Sequence, residues 1–193
     1  MDTINKLARA FNRFPGIGPR QAKRFVYFLL KEGGNTTKEL QRLLEELPNE
    51  VSQCRECFRY HTDHSCRYCT DEQRTRDVLL VVATDADLDS IERSHTFNGM
   101  YFVLGGTISL TEREPEKFVR IRELLERTKT VTPSEIIMAF AANSEGDNTI
   151  DYLRSLLADS GMKLSTLGRG LSTGSELEYA DTDTIRNALE GRK

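Results

Sequence analysis

Four cysteines confined to one short stretch restrict the fold of this chain more than any other sequence feature. They make up its whole cysteine content and are spaced as Cys54-x2-Cys57-x8-Cys66-x2-Cys69. Each pair is typical of a knuckle that presents two thiolates, and two knuckles complete one tetrahedral zinc site, which is structural because no position stays open. Redox-active pairs are the alternative, but these usually adjoin a strand-to-helix junction. We therefore predict one structural zinc per chain, with His61 and His64 facing solvent.

The segment before the cysteines predicts three short helices. Apolar side chains recur at helical spacing over residues 4–11, and a second helix is expected to begin at Pro19 and to end near Gly33. A third helix is expected after a capping box formed by Thr36 and Glu39. Together these helices would form a small N-terminal module.

Residues 14–20, which read Phe-Pro-Gly-Ile-Gly-Pro-Arg, are typical of a helix-hairpin-helix turn between the first two helices. The glycines permit a tight turn, and the following helix offers free N–H groups and the positive end of its dipole to a phosphate. Residues 1–34 carry seven basic and two acidic side chains, a net charge of +5 in a chain whose total is -3. The alternative is a plain αα-hairpin with solvated charges. We predict DNA binding that is sequence-independent and salt-sensitive, through Gly16, Gly18, Arg20, Lys23 and Arg24.

Beyond the cysteines, apolar runs alternate with helical ones, which is typical of βαβ units around a parallel sheet. Strands are predicted at residues 78–83, 100–104, 135–140 and 163–167, and helices at residues 88–94, 115–129, 148–160 and 183–189. No apolar run approaches the roughly 18 residues that a membrane span needs. No targeting segment is recognised either, so we expect a cytoplasmic protein.

Acidic side chains follow the first and third predicted strands, where ligands and metals of parallel sheets usually sit. The candidate residues are Asp85, Asp87, Glu145 and Asp147. Clustered carboxylates could hold Mg²⁺ for phosphoryl chemistry. The alternative is that they lie at helix N-termini, where negative charge is favourable.

The motif order resembles the RecR family of bacterial recombination mediators, from residue 4 to residue 192. That order is a helix-hairpin-helix turn, four cysteines, a parallel α/β module and a glycine-rich tail with the sequence Leu177-Glu178-Tyr179-x-Asp181. This last motif is reminiscent of a Walker B strand, but the chain has no phosphate-binding loop of the Gly-x4-Gly-Lys type, so ATP hydrolysis is not expected. The α/β module of the family is similar to a Toprim domain.

The resemblance implies an α/β protein in four parts. Residues 1–53 would form the helix-hairpin-helix DNA-binding module, 54–70 the four-cysteine zinc finger, 77–167 the Toprim-like domain with a parallel sheet, and 168–193 a short C-terminal segment with the Walker-B-like strand and a helix. The chain departs from the family pattern at Ser172 and Ser175 in the tail. It also has Ala83 where catalytic Toprim domains need a glutamate, which removes half of their metal cage.

These expectations favour a non-catalytic, DNA-binding clamp subunit of recombinational repair, associated with the nucleoid. The resemblance implies a homotetramer or homodimer and partners of the RecO and RecF type, which load recombinase on single-stranded DNA. Two other hypotheses stay open, namely a Toprim-type Mg²⁺-dependent nucleic-acid enzyme and a zinc-stabilised scaffold without DNA contact.

Overall fold

The computed structural model describes residues 2–171, 174 and 176–191 and divides the chain into two compact units. The first unit spans Met1–Ser52 and the second Gln53–Lys193. The predicted fold class is confirmed: a helical N-terminal part precedes a four-cysteine cluster, a four-stranded parallel sheet and a C-terminal helix. The tail departures at Ser172 and Ser175 lie outside the described residues.

Three helices form the first unit, and two of them match their predictions. They are α1 (Thr3–Phe11), α2 (Pro19–Glu32) and α3 (Gly34–Glu50). The core is small, because Ala8, Ala22 and Val26 are its only buried apolar residues in the described chain, with three half-buried side chains packed on them. The helices α1 and α2 therefore hold the hairpin between them.

The start of α3 differs from the prediction. Gly33 caps the helix with a φ of +82°, so α3 begins before Thr36, and the expected capping box of Thr36 and Glu39 does not form. A glycine reaches this left-handed conformation without steric cost, and it links α2 to α3 in a single residue. The leucines of α3 at positions 43, 44 and 47 are about half exposed in the single chain.

The cysteine module opens the second unit. It consists of a two-stranded sheet, β1 (Ser52–Gln53) and β2 (Tyr60–His61), followed by the single turn α4 (Arg67–Thr70). The buried cysteines belong to the same apolar core as the large sheet. Phe58 packs edge-on against Phe102 with 5.4 Å between ring centroids, and the Val103 N–H donates to the Cys57 carbonyl at 2.8 Å. The module and the sheet are therefore one packed body.

The large sheet has the order β4-β3-β5-β6 and is parallel throughout. Its strands are β3 (Val78–Val82), β4 (Met100–Val103), β5 (Glu135–Ala139) and β6 (Lys163–Thr166), each within one residue of its prediction. Near-continuous burial of β3 and β4 reflects cover on both faces.

Helices connect the strands as in βαβ units. They are α5 (Asp85–Ser94), α6 (Ile121–Val131) and α7 (Ser144–Leu157), with 3-10 turns at Pro115–Lys117 and Ala158–Ser160. Both α5 and α7 begin three to four residues earlier than predicted, because Thr84 and Asn143 cap them.

The structure of the C-terminal tail differs from the predicted Walker-B-like strand. Leu177–Tyr179 forms an exposed 3-10 turn, not a Walker-B-like strand, and α8 (Thr182–Glu190) follows it. Its hydrogen bonds are local, from Tyr179 N–H to the Glu176 carbonyl and from Ala180 N–H to the Leu177 carbonyl, so the segment pairs with itself instead of with a neighbouring strand. Within the described residues, no helix combines the length and the apolar character needed to cross a membrane.

Candidate nucleic-acid interface and metal centre

The hairpin between α1 and α2 presents an open helix N-terminus. Gly16 adopts a φ of +75° and Gly18 is the extended N-cap of α2, and a Cβ on either would meet no atom within 4 Å. Ile17 is half-buried against the helical core and anchors the turn. Since the first N–H groups of a helix have no carbonyl partner within it, those that follow Pro19 are free to bind an anion.

The three predicted cations lie on the first two turns of α2. Arg20, Lys23 and Arg24 are all exposed, and none forms an ion pair within the described residues. Arg24 donates to the Gln21 side chain at 3.3 Å, which leaves its charge unneutralised. The structure therefore gathers the predicted glycines and cations on one surface, the hairpin surface, defined by Gly16, Gly18, Arg20, Lys23 and Arg24.

Beside the hairpin surface, α1 and α2 form a shallow groove of about 400 Å³. Its lining includes Lys23 from α2 and Arg9 from α1, together with Asn5, Ala8, Asn12 and Pro19. Arg9 is one of the seven basic side chains of residues 1–34, and the sequence did not single it out as a site residue. Its position beside Lys23 could not be predicted from the number of charges, because it depends on how α1 packs on α2.

The four cysteine sulfurs come together as predicted. All four lie within 4.8 Å of one another, with 3.8 Å between Cys54 and Cys69 and 3.5 Å between Cys57 and Cys66. A zinc ion bound to four thiolates at about 2.3 Å requires sulfurs about 3.8 Å apart, so the arrangement fits a tetrahedral metal. Within the described residues, no other group of three or more cysteine, histidine, aspartate or glutamate side chains could hold a metal ion.

Hydrogen bonds among the four thiols shift their pKa values in opposite directions. They lower the pKa of Cys54, with Cys57 as the largest cause, and raise the pKa of Cys69, with Cys54 as the largest cause. Cys54 is thus favoured as the thiolate, which is the form that binds a metal. The Glu56 N–H also donates to the Cys54 sulfur at 3.4 Å. His64 is exposed, and half-buried His61 places Nδ1 3.0 Å from the Asp63 carbonyl. Neither histidine joins the sulfurs.

The acidic residues of α5 are engaged in contacts with the protein. Asp85 accepts a hydrogen bond at 2.8 Å from the N–H of Tyr60, in the cysteine module. Asp87 forms a capping box with Thr84, in which its carboxylate accepts from the Thr84 N–H at 2.9 Å and hydroxyl at 2.7 Å. Thr84 is the N-cap and both aspartates lie in the first turn of α5, in agreement with the alternative that they occupy a helix N-terminus.

The acidic residues of α7 face two other segments. Glu145 accepts from the Thr107 hydroxyl at 3.0 Å, and Asp147 is ion-paired with Arg169. The hydrogen bond from Arg169 lowers the pKa of Asp147. Asn143, and not Asp147, caps the helix. Thr107 and Arg169 were missed by sequence reasoning, because they lie 38 and 22 residues from their partners along the chain.

Comparison with known proteins matches three parts of the chain. The family described as "RecR, helix-hairpin-helix" matches residues 4–47, "Toprim domain" matches residues 77–168, and "RecR, C-terminal" matches residues 170–193. The first covers the hairpin surface and the second covers the parallel sheet. The fold and site thus define a class of protein that combines a helix-hairpin-helix module, a four-cysteine cluster and a Toprim domain.

Similar proteins cover the whole chain. The Recombination protein RecR of Prochlorococcus marinus (strain MIT 9301) is 39% identical over 189 residues, which is 98% of this chain and 94% of the relative. Those of Cutibacterium acnes and Bdellovibrio bacteriovorus are 38% and 37% identical, over 98% and 100% of this chain and 94% and 97% of the relatives. The chain belongs to the RecR family of recombination mediators.

Proposed function

We propose that this chain is a DNA-binding clamp subunit of recombinational repair and breaks no bonds itself. The observation that carries the proposal is the hairpin surface, where an open helix N-terminus faces solvent beside three exposed cations that form no ion pair with the part of the chain that the structure describes. Free N–H groups and a helix dipole attract one phosphate, and the arginines neutralise the neighbouring phosphates of the same strand. None of these groups reads a base edge, so the binding is sequence-independent.

The test is the salt dependence of DNA binding by an Arg20→Gln/Arg24→Gln variant. Because each lost phosphate contact lowers the slope of log K against log salt by about one, the double variant should lose about two units of slope on unrelated sequences alike. The matched control is Arg93→Gln/Arg113→Gln, which removes the same charge from exposed positions on the second unit. Equal slopes for the two double variants would refute the assignment.

The contacts of the acidic residues support the absence of catalysis. Asp85, Asp87, Glu145 and Asp147 bind four different partners on the protein. Ala83 lies at the end of β3 where a catalytic Toprim domain needs a carboxylate. A nicking assay with Mg²⁺ tests this directly. We expect no cleavage by the wild-type chain, whereas cleavage that disappears in Glu145→Gln would establish an enzyme instead.

The cysteine cluster completes the proposal as a structural zinc site. Cys54, Cys57, Cys66 and Cys69 would hold one zinc per chain with no open position, so the ion stabilises the module and takes part in no reaction. The same proposal divides the chain into four functional parts. The DNA-binding module spans residues 1–53, the zinc finger 54–70, the Toprim-like domain 77–167 and the C-terminal segment 168–193.

Assembly and partners extend the clamp proposal. A clamp needs more than one copy to enclose DNA, so we propose a homotetramer or homodimer that works with RecO-type and RecF-type partners on nucleoid DNA in the cytoplasm. Light scattering with and without DNA measures the copy number, and a strictly monomeric protein in both states would refute the clamp.

A further inference from the structure

Three guanidinium groups gather around one tyrosine of the cysteine module. The Cζ atoms of Arg59, Arg67 and Arg74 lie 4.4, 4.8 and 4.7 Å from the centroid of the Tyr68 ring. Tyr68 is 5% exposed and packs on the Tyr101 ring. The three charges are thus within about 10 Å of one another, a Debye length at about 0.1 M salt, and they repel.

One of the three cations is neutralised by the fold. Arg74 donates to both carboxylate oxygens of Glu92 at 2.8 Å and to the Gly99 carbonyl at 3.1 Å. Its side chain is 8% exposed. These contacts make Arg74 a structural residue that ties the module to α5 and to the start of β4.

The other two cations have no acidic partner. Neither Arg59 nor Arg67 forms an ion pair within the described residues. The hydrogen bond to the Tyr68 hydroxyl is the main cause that raises the pKa of Arg67, and the more distant charges of Asp63 and Glu92 raise it further. Arg67 donates to that hydroxyl at 2.7 Å and is otherwise exposed. The Nε atom of Arg59 is buried and has no hydrogen-bond acceptor. Each terminal nitrogen of Arg59, in contrast, either reaches solvent or has a partner.

Stacking on Tyr68 fixes these side chains without neutralising them. A cation over an aromatic ring is attracted to the face of the ring and keeps its full charge. A guanidinium whose plane is already fixed loses less conformational entropy on binding, and its donor geometry matches the oxygens of a phosphate. The pair is therefore built to receive an anion between or beside the two forks.

We propose that Arg59 and Arg67, held on Tyr68, form a second contact of this protein with the phosphodiester backbone of DNA. This inference rests on the proposed function, since it takes the ligand to be the polynucleotide that the hairpin surface binds. The contact neutralises charge and reads no base, as at the hairpin surface. It makes the cysteine module a DNA-binding element in addition to a structural one.

The experiment measures DNA binding of the full-length chain across salt concentrations. The variants are Arg59→Gln/Arg67→Gln and the charge-matched control Arg93→Gln/Arg113→Gln, with thermal unfolding and metal content determined for each. We expect the first variant to lose one to two units of salt slope and the control to lose none, at unchanged metal content. Arg59→Lys/Arg67→Lys should keep the slope and lose affinity about three- to tenfold, because the ammonium lacks the planar fork.

The outcomes separate this inference from the proposed function. If the wild-type protein binds no DNA, the proposed function is refuted. If the wild type binds DNA and Arg59→Gln/Arg67→Gln has the same salt slope as the control variant, only the inference is refuted. If the double variant loses its metal, the exposed Arg67→Gln single variant replaces it, with one unit of slope expected. Saturable binding of inorganic phosphate that disappears in Arg59→Gln/Arg67→Gln, with the DNA slope unchanged, would assign the pair to a free anion and overturn the proposal.

Discussion

Replacing Cys57 with serine is expected to weaken metal binding and to destabilise the parallel sheet together with the cysteine module. Cys57 is fully buried, and its carbonyl accepts the Val103 N–H at 2.8 Å. Phe58, the next residue, packs on Phe102 of the same strand. Because the module and the sheet share one core, loss of the metal cannot stay confined to the module.

The size of the effect follows from the ligand set. Structural zinc contributes about 10–16 kcal/mol in isolated zinc-finger peptides, so one ligand of four accounts for about 3–4 kcal/mol. In a unit of this size, 1 kcal/mol corresponds to about 3 °C in Tm, which gives a fall of about 10 °C. Chelation of the wild-type metal should produce a fall of the same size or larger.

Metal content by mass spectrometry and thermal unfolding by circular dichroism together test this reasoning. His61→Ala and His64→Ala are the controls, because neither side chain joins the sulfurs. Both should keep one metal per chain and an unchanged Tm. A Cys57→Ser protein with full metal content and the wild-type Tm would show that the four sulfurs do not form the site.

Two further changes test contacts around α7. Gly146→Ala would force a Cβ into the Ala141 carbonyl oxygen and should destabilise the protein by about 1–3 kcal/mol in urea unfolding. Gly168→Ala is the control, because open space surrounds Gly168 and the substitution should be neutral. Equal stability of the two variants would contradict the contact. Arg169→Ala should cost at most about 1 kcal/mol at pH 7, since both partners are partly exposed. Because Arg169 lowers the folded-state pKa of Asp147, this contribution is fully present above the unfolded pKa near about 3.9 and is lost as the pH falls through the folded value. Urea unfolding across pH should therefore show the largest difference between wild type and Arg169→Ala near pH 7, and the difference should shrink as the pH falls below about 3.9.

Local patterns predicted the elements and the cysteine site well. Strand positions followed from apolar runs bounded by polar residues, and the two sulfurs of each Cys-x2-Cys pair lie close together because knuckle spacing is a local geometric property. The start of α3 and the 3-10 turn at Leu177–Tyr179 were wrong for a different reason. Glycine at position 33 competes with Thr36 as a cap, and a short apolar segment forms a strand only if a partner strand accepts it.

Pairings between distant residues could not be predicted from the sequence. The stacking of Arg59 and Arg67 on Tyr68 depends on how the four-residue helix α4 packs against β4, whereas in the sequence these arginines look like ordinary solvated charge. The partner of each carboxylate was likewise invisible, because the sequence shows only that acids follow strands. Clustering along the chain suggested one shared metal, whereas in the structure each of these carboxylates contacts a partner of its own on the protein.

The acidic residues at one edge of the sheet join separate segments of the second unit. Asp85 holds the Tyr60 N–H of the cysteine module, Glu145 holds the loop at Thr107, and Asp147 holds the tail at Arg169. Each contact joins a different segment to the N-terminal end of α5 or α7, where the helix dipole stabilises the negative charge. The three carboxylates therefore have structural contacts of their own, which support the proposal that this edge of the sheet breaks no bonds.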